Sequence, residues 1–90
     1  MQRVEIKRTI ITPKKAQELL NRNTRNRSMR PSRLRGCVDA MEGGSWVFCG
    51  DTVTIDWNGD LLDGQHRLTA CLVSGISFDT IMVTGLDPVV

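Results

Sequence analysis

Residues 61–68 read LLDGQHRL, and this stretch decides how the second half of the chain folds. Its two leucines match a short returning strand, and Gly64 allows a tight turn. The residues that follow have helical spacing, with Leu68 and Leu72 on one apolar face. Because glycine commonly ends helices, a helix is predicted from near Gly64 to just before Gly75.

A predicted hairpin precedes this strand–turn–helix segment. Residues 52–56 alternate apolar and polar side chains, as a half-buried strand does. Residues 57–60, WNGD, predict a tight turn, because an Asn-Gly pair tolerates the positive φ that hairpin turns require. Residues 61–62 then form the returning strand, and a last strand is predicted over residues 78–83.

The first half of the chain predicts one strand and two helices. The first helix begins at Thr12-Pro13, a threonine N-cap followed by proline, and the second begins at Pro31. The predicted elements are a strand over residues 4–11, a helix from Pro13 to about Asn21, a loop over residues 21–31, and a helix from Pro31 to about Glu42. The apolar helix faces comprise Ala16, Leu19 and Leu20 in the first helix and Leu34, Cys37, Val38 and Met41 in the second.

The order β-α-α-β-β-α-β predicts an α+β domain with three helices and a small mixed sheet. Its 90 residues, 40% hydrophobic and 24% charged, indicate a single globular domain over residues 1–90. No apolar run approaches the length of about 18 residues that a membrane span needs. The charged N-terminus lacks the apolar stretch of a signal peptide, so a cytoplasmic protein is expected.

The three cysteines favour the same compartment. Cys37, Cys49 and Cys71 include no C-x-x-C pair, so free thiols are expected, with Cys37 and Cys71 as small buried apolar residues. A zinc site would need all three cysteines and His66 at irregular spacing, and no metal site is predicted from them. Trp46, in a short apolar run over residues 46–48, is expected to close the core.

Charge is divided unequally along the chain. Residues 1–36 carry eleven basic and two acidic side chains, for a sum of +9. Residues 37–90 carry one basic side chain, Arg67, and eight acidic ones, for a sum of −7. A basic half of this kind indicates an anionic partner.

The turn at Gly64 is the first candidate binding site. The amides at a helix N-terminus have no partner within the helix, and the helix dipole is positive there, so a strand–glycine–helix turn suits an anion. Arg67 adds a planar set of donors suited to phosphate, Asp63 is placed to cap the helix, and His66 can donate a hydrogen bond or move a proton. The alternative is a purely structural turn, with Arg67 as an ion-pair partner.

A second candidate site is a run of arginines without an intervening acid. Arginine suits bidentate recognition of phosphate, so these side chains are candidates for contacts with a nucleic acid, a nucleotide phosphate or an acidic protein partner. The run lacks aromatic residues, which argues against stacking of single-stranded bases. It comprises Arg22, Arg25, Arg27, Arg30, Arg33 and Arg35.

Residues 63–70, DGQHRLTA, resemble the signature of DGQHR-type, ParB/sulfiredoxin-like domains, the ParB N-terminal-like group. Gly64 and Arg67 match the G-x-x-R with which ParB-like proteins hold nucleotide phosphates. Residues 64–67 are also close to the Gly-Cys-His-Arg of sulfiredoxin. The hairpin over residues 56–62 resembles the one that leads into that motif. NTRNR at residues 23–27, with RPS at residues 30–32, resembles a stretch common in ParB-like proteins of actinobacterial phages.

The resemblance extends roughly over residues 6–88 and implies the ParB/sulfiredoxin-like fold. It implies a nucleotide or nucleic-acid phosphate, from ATP, ADP or CTP with Mg²⁺ for example, at a site formed by Asp63, Gly64, Gln65, His66 and Arg67. Gln65 stands where sulfiredoxin has its cysteine, so peroxiredoxin repair is not expected. Since the sequence has no ParB-type second helical domain, a stand-alone phage-type module in the host cytoplasm is expected, without DNA loading, CTP switching or nuclease activity.

Three functions follow as hypotheses. The favoured one is a binding module, not an enzyme, that holds the phosphate and regulates or inhibits a host factor. The first alternative is nucleotide-dependent phosphoryl transfer or hydrolysis, with His66 as acid or base beside Arg67 and an aspartate on Mg²⁺. The second is a protein-interaction module whose basic face docks on an acidic partner. No membrane partner is expected, and an exposed Trp57 would suit a protein interface.

Asp56, Asp60 and Asp63 are the candidates for holding Mg²⁺, because divalent cations on nucleotides are commonly bound by one or two carboxylates. The alternative, that they shape the hairpin and cap the helix, is preferred, and no metal site is assigned.

Overall fold

The computed structural model describes residues 3–22, 30–44 and 52–88. These residues form an α+β domain with three helices and a four-stranded sheet, as the sequence predicts. The elements are β1 (Glu5–Ile11), α1 (Pro13–Leu20), α2 (Pro31–Glu42), β2 (Thr52–Asp56), β3 (Leu61–Asp63), α3 (Gln65–Ser74) and β4 (Phe78–Leu86). Within the described part of the chain, the predicted element order is confirmed. Residues 23–29 of the loop predicted over residues 21–31, the apolar run at 46–48 with Trp46, and Cys49 lie outside the described residues.

The sheet is mixed, with the strand order β1-β4-β2-β3. β4 pairs antiparallel with β1 and parallel with β2, while β2 and β3 form the antiparallel hairpin. β4 extends to Leu86, three residues beyond its predicted end, because Leu86 continues the pairing with β2 and its carbonyl accepts a hydrogen bond from the Trp57 amide at 2.9 Å. The C-terminal strand therefore supports the hairpin that leads to the candidate site.

The hydrophobic core lies between the three helices and one face of the sheet. Ile11, Val53 and Phe78 supply the sheet side of this core. The helices contribute Ala16, Leu19, Met41, Leu68, Ala70 and Cys71, all buried, with Leu20, Leu34, Cys37, Val38 and Leu72 packed around them. The predicted apolar faces of all three helices are thereby confirmed. Cys37 and Cys71 are free thiols. Cys71 is fully buried and Cys37 is half-buried, and both pack as apolar residues in or against the core.

The opposite face of the sheet is exposed at β1. Ile6 and Ile10 remain 72% and 68% exposed. Between them, Arg8 forms an ion pair with Asp79 of β4 at 2.6 Å, and this guanidinium lowers the pKa of the Asp79 carboxyl. An ion pair so open to solvent adds little to stability. None of the described helices is long and apolar enough to cross a membrane.

The β2–β3 turn is organised by a buried carboxylate. Asp56 is only 4% exposed, and its Oδ1 accepts hydrogen bonds from the amides of Asn58 and Asp60, each at 2.9 Å. Its backbone also exchanges hydrogen bonds with the turn, through the Gly59 amide and the Asp60 carbonyl. Gly59 has a φ of 87° and Asn58 does not have a positive φ, so only one of the two central residues needs the left-handed region.

Asp56→Ala should lower the free energy of unfolding by about 2–4 kcal/mol, because two turn amides lose a charged acceptor inside the protein. Asp56→Asn should cost less, since the amide oxygen can still accept. Urea unfolding measures both changes. Asp39→Ala removes an exposed carboxylate from α2 and should change stability by less than about 0.5 kcal/mol. Equal effects for Asp56→Ala and Asp39→Ala would contradict this role for Asp56.

Gly64 joins β3 to α3 in a conformation that other residues rarely adopt. Its φ is 109°, and a Cβ at this position would lie 3.0 Å from Val53 Cγ2 and 3.3 Å from Val53 Cα. Both the backbone angle and the contact with β2 therefore require glycine. This close approach is what brings the N-terminus of α3 against the sheet.

Gly64→Ala should lower the free energy of unfolding by about 2–4 kcal/mol, the combined cost of a left-handed φ and of overpacking against Val53. Gly36→Ala is the matched control. Gly36 lies inside α2 with nothing near the added methyl group, so this substitution should raise stability by about 0.5–1 kcal/mol. Chemical denaturation of both variants checks the prediction, and a neutral Gly64→Ala would refute it.

Candidate phosphate-binding site

The site begins at the N-terminus of α3. Gly64 is the N-cap residue, and its carbonyl accepts the first helical hydrogen bond from the Leu68 amide at 3.0 Å. The prediction that Asp63 caps this helix is wrong, because no side chain caps it. Asp63 Oδ1 instead accepts a hydrogen bond from the Gly64 amide at 2.9 Å. Gly64 precedes the first helical residue, Gln65, so this bond does not cap an amide of the first helical turn. The carboxylate thus supports the turn and leaves the helix end without a side-chain cap.

The N-terminus of α2 lies beside that of α3. Arg30 is the N-cap residue of α2, again without a side-chain cap, and Pro31 occupies the first helical position. The backbone amide of Arg30 donates a hydrogen bond to Nε2 of His66, in the first turn of α3, at 3.0 Å. Two positive helix ends are therefore tied together by one imidazole.

His66 is surrounded by positive charge. Burial is the largest cause that lowers its pKa, and the nearby charges of Arg33, Arg30 and Arg67 lower it further. The carboxylate of Asp63 opposes them. Arg30 and Arg33 come from α2 and Arg67 from α3, so the structure brings together basic groups that are far apart in the sequence.

The guanidinium of Arg67 is half-buried and anchored to the sheet. Its Nη1 donates a hydrogen bond to the carbonyl of Thr52, at the start of β2, at 3.0 Å. A guanidinium carries five N–H donors, and this contact sets the direction of the planar group. Arg67, in the first turn of α3, is thus held against the start of β2.

The arginines predicted as one basic cluster occupy different places. Arg22 belongs to the hairpin: it donates a hydrogen bond to the Asn58 carbonyl at 2.5 Å and lies 3.3 Å from the Asp60 carboxylate. Arg30 and Arg33 lie at the candidate site, and Arg35 is exposed further along α2. Arg25 and Arg27 lie outside the described residues. Of the four arginines of this cluster that the structure describes, two, Arg30 and Arg33, are therefore associated with His66.

The aspartates predicted as possible Mg²⁺ ligands each have a structural partner. Asp56 organises the turn, Asp60 lies beside Arg22, and Asp63 accepts the Gly64 amide. Within residues 3–22, 30–44 and 52–88, no group of three or more His, Cys, Asp or Glu side chains is placed to hold a metal ion. Trp57, beside the turn, is 43% exposed.

Sequence reasoning missed the contact between Arg30 and His66. The residues are 36 positions apart, and no periodic pattern links them. The available signal was that both stand at predicted helix starts, before Pro31 and after Gly64.

Comparisons of the chain with protein-family models, with curated proteins and with solved structures found no match. The resemblance to ParB/sulfiredoxin-like domains therefore remains an interpretation of the DGQHR motif.

The neutral form of His66 should make stability depend on pH. Its pKa lies below the ordinary value of 6.5 in the folded protein, so the unfolded chain binds the proton more readily. The stabilisation should be complete above about pH 6.5 and be lost as the pH falls through the folded-state pKa. The free energy of unfolding, measured in urea at about pH 5 and about pH 7.5, should differ less between the two pH values for His66→Gln than for the native chain. Identical pH dependence in the two proteins would contradict the prediction.

Proposed function

We propose that the chain is a phosphate-binding module of the ParB/sulfiredoxin-like type, which holds a nucleotide or nucleic-acid phosphate at the start of α3. The observation that carries the proposal is the meeting of the two helix N-termini at His66, where the charges of Arg30 and Arg33 from the start of α2 and of Arg67 from α3 act on the same imidazole. Uncapped helix ends and guanidinium groups both favour an anion.

The composition of the site supports phosphate over a carboxylate-bearing ligand. Three arginines on two elements suit a group with several acceptor oxygens and more than one negative charge. The resemblance of residues 64–67 to the G-x-x-R of ParB-like proteins indicates the same ligand class. In this proposal, the phosphate-bound protein binds a host factor and regulates or inhibits it.

The contacts of His66 favour binding over turnover. A general base needs a lone pair directed at the proton it removes, and in the structure the Nε2 lone pair accepts the Arg30 amide. In the phosphate complex inferred below, Nε2 carries a proton, so Nε2 does not serve as a general base in either state. Nothing in the arrangement requires hydrolysis, since cationic groups and helix ends suffice to hold a phosphate.

Isothermal titration with ATP, ADP, CTP and a short DNA tests the proposal. Arg67→Ala and Arg33→Ala should each weaken binding roughly ten- to hundredfold, the effect of losing one charge-assisted hydrogen bond. Arg33→Ala is the safer variant, because Arg33 is exposed and Arg67 also bonds the Thr52 carbonyl. Arg8→Ala is the matched control: it removes the same charge from the far side of the sheet and should leave affinity nearly unchanged.

Three results would contradict the proposal. An equal loss of binding in Arg8→Ala would indicate a diffuse charge effect. Phosphate release that depends on Mg²⁺ and disappears in His66→Ala would indicate the phosphoryl-transfer enzyme instead. Absence of binding to all four ligands, together with a stoichiometric complex between the basic face and an acidic protein, would indicate the interaction module.

A further inference from the structure

We infer that the ligand of this site is a terminal, dianionic phosphate, and that its binding moves one proton from solvent onto Nε2 of His66 and releases the Arg30 amide. This inference rests on the proposed function and adds to it the class of phosphate and a link to pH. It comes from the contact between His66 and Arg30, which constrains where the proton of the imidazole can be.

The hydrogen bond defines the state of His66 before ligand binds. Nε2 accepts the Arg30 N–H at 3.0 Å, so this nitrogen carries no proton. A neutral imidazole has one N–H, and that proton must therefore be on Nδ1. Because an imidazolium has donors at both nitrogens and no acceptor, protonation of His66 breaks the hydrogen bond to Arg30.

A bound anion offsets the positive charge that keeps the His66 imidazole neutral. Among the residues that the structure describes, the charged groups acting on His66 are Arg30 and Arg33 at the start of α2, Arg67 of its own helix, and Asp63 at the end of β3, so positive charge predominates among them. A phosphate bound among these arginines offsets their repulsion and favours the imidazolium. The charge of the ligand thus decides whether His66 holds the additional proton.

The geometry after protonation also requires an anion. The Arg30 amide and the protonated Nε2 become two donors that face each other across a former hydrogen bond. A phosphate oxygen can accept from both when it lies between or beside them, at the positive end of α2. Water can accept from them as well, but it does not offset the charge of the arginines.

A terminal phosphate fits this site better than a phosphodiester. A terminal phosphate has a last pKa of about 6, so near pH 7 it carries nearly two negative charges and presents three acceptor oxygens. A diester has one charge and two such oxygens. Three arginines around an imidazolium are best matched by a terminal phosphate, which is found at the end of a nucleotide and not along a nucleic-acid backbone.

The closing experiment uses the fact that His66 is the only histidine in the chain. Imidazole nitrogen shifts, measured by NMR at pH 7, should show a neutral ring protonated at Nδ1 in the ligand-free protein. Saturation with ADP should convert that ring to the imidazolium. Titration calorimetry in two buffers of different ionisation enthalpy should give uptake of about half to one proton per ADP bound. Affinity should be about three- to tenfold higher at pH 7 than at pH 8.

His66→Gln is the matched variant, because a glutamine oxygen can accept the Arg30 amide but does not titrate. It should bind ADP with no proton uptake and without tighter binding at pH 7. A dinucleotide that contains only a diester phosphate should bind the native protein at least tenfold more weakly than ADP.

The possible failures are distinguishable. If ADP and the other phosphates do not bind the native protein at all, the proposed function fails. If ADP binds but His66 stays neutral, or if His66→Gln takes up the same number of protons, the link to His66 is wrong. If the dinucleotide binds as tightly as ADP, the preference for a terminal phosphate is wrong.

Discussion

The rest of the site depends on the close approach of Gly64 to β2. The backbone turns there with a φ of 109°, and the Val53 side chain occupies the space where a Cβ would be. Only glycine satisfies both conditions, and this allows α3 to begin directly against the sheet. Arg67 can then reach the Thr52 carbonyl, while His66 faces the start of α2. A wider turn would separate these groups.

The packing of α2 against α3 places two positive helix ends and several guanidinium groups close together, and their mutual repulsion is unfavourable. Both helices begin without a side-chain cap, and the Arg30 amide at the start of α2 contacts the imidazole of His66 in the first turn of α3. Among the described residues, three guanidinium groups add to the positive potential at His66, and one carboxylate, that of Asp63, reduces it. A cluster of like charges is destabilising by itself, and the anion proposed above would offset this repulsion on binding.

The hairpin provides the rigid support for this arrangement. Asp56 holds two turn amides from a buried position, and Arg22 ties the end of α1 to the turn through the Asn58 carbonyl. The Leu61 amide also donates a hydrogen bond to the Arg22 carbonyl at 3.0 Å. Residues that looked like ligand-binding groups in the sequence therefore serve to fix β3, the strand from which the Gly64 turn departs.

Local patterns in the sequence determined the secondary structure and much of the core. Thr12-Pro13, Gly43 and Gly75 mark helix ends through short-range preferences, and the apolar spacing of each helix predicts which side is buried. The DGQHR turn was likewise recognisable as a candidate site, because glycine before a helix has a local physical meaning. The division of the arginines between hairpin and site, and the hydrogen bond from Arg30 to His66, were decided by tertiary structure alone. These contacts join residues 36 positions apart, and they depend on how helices and strands pack together, which no short-range preference encodes.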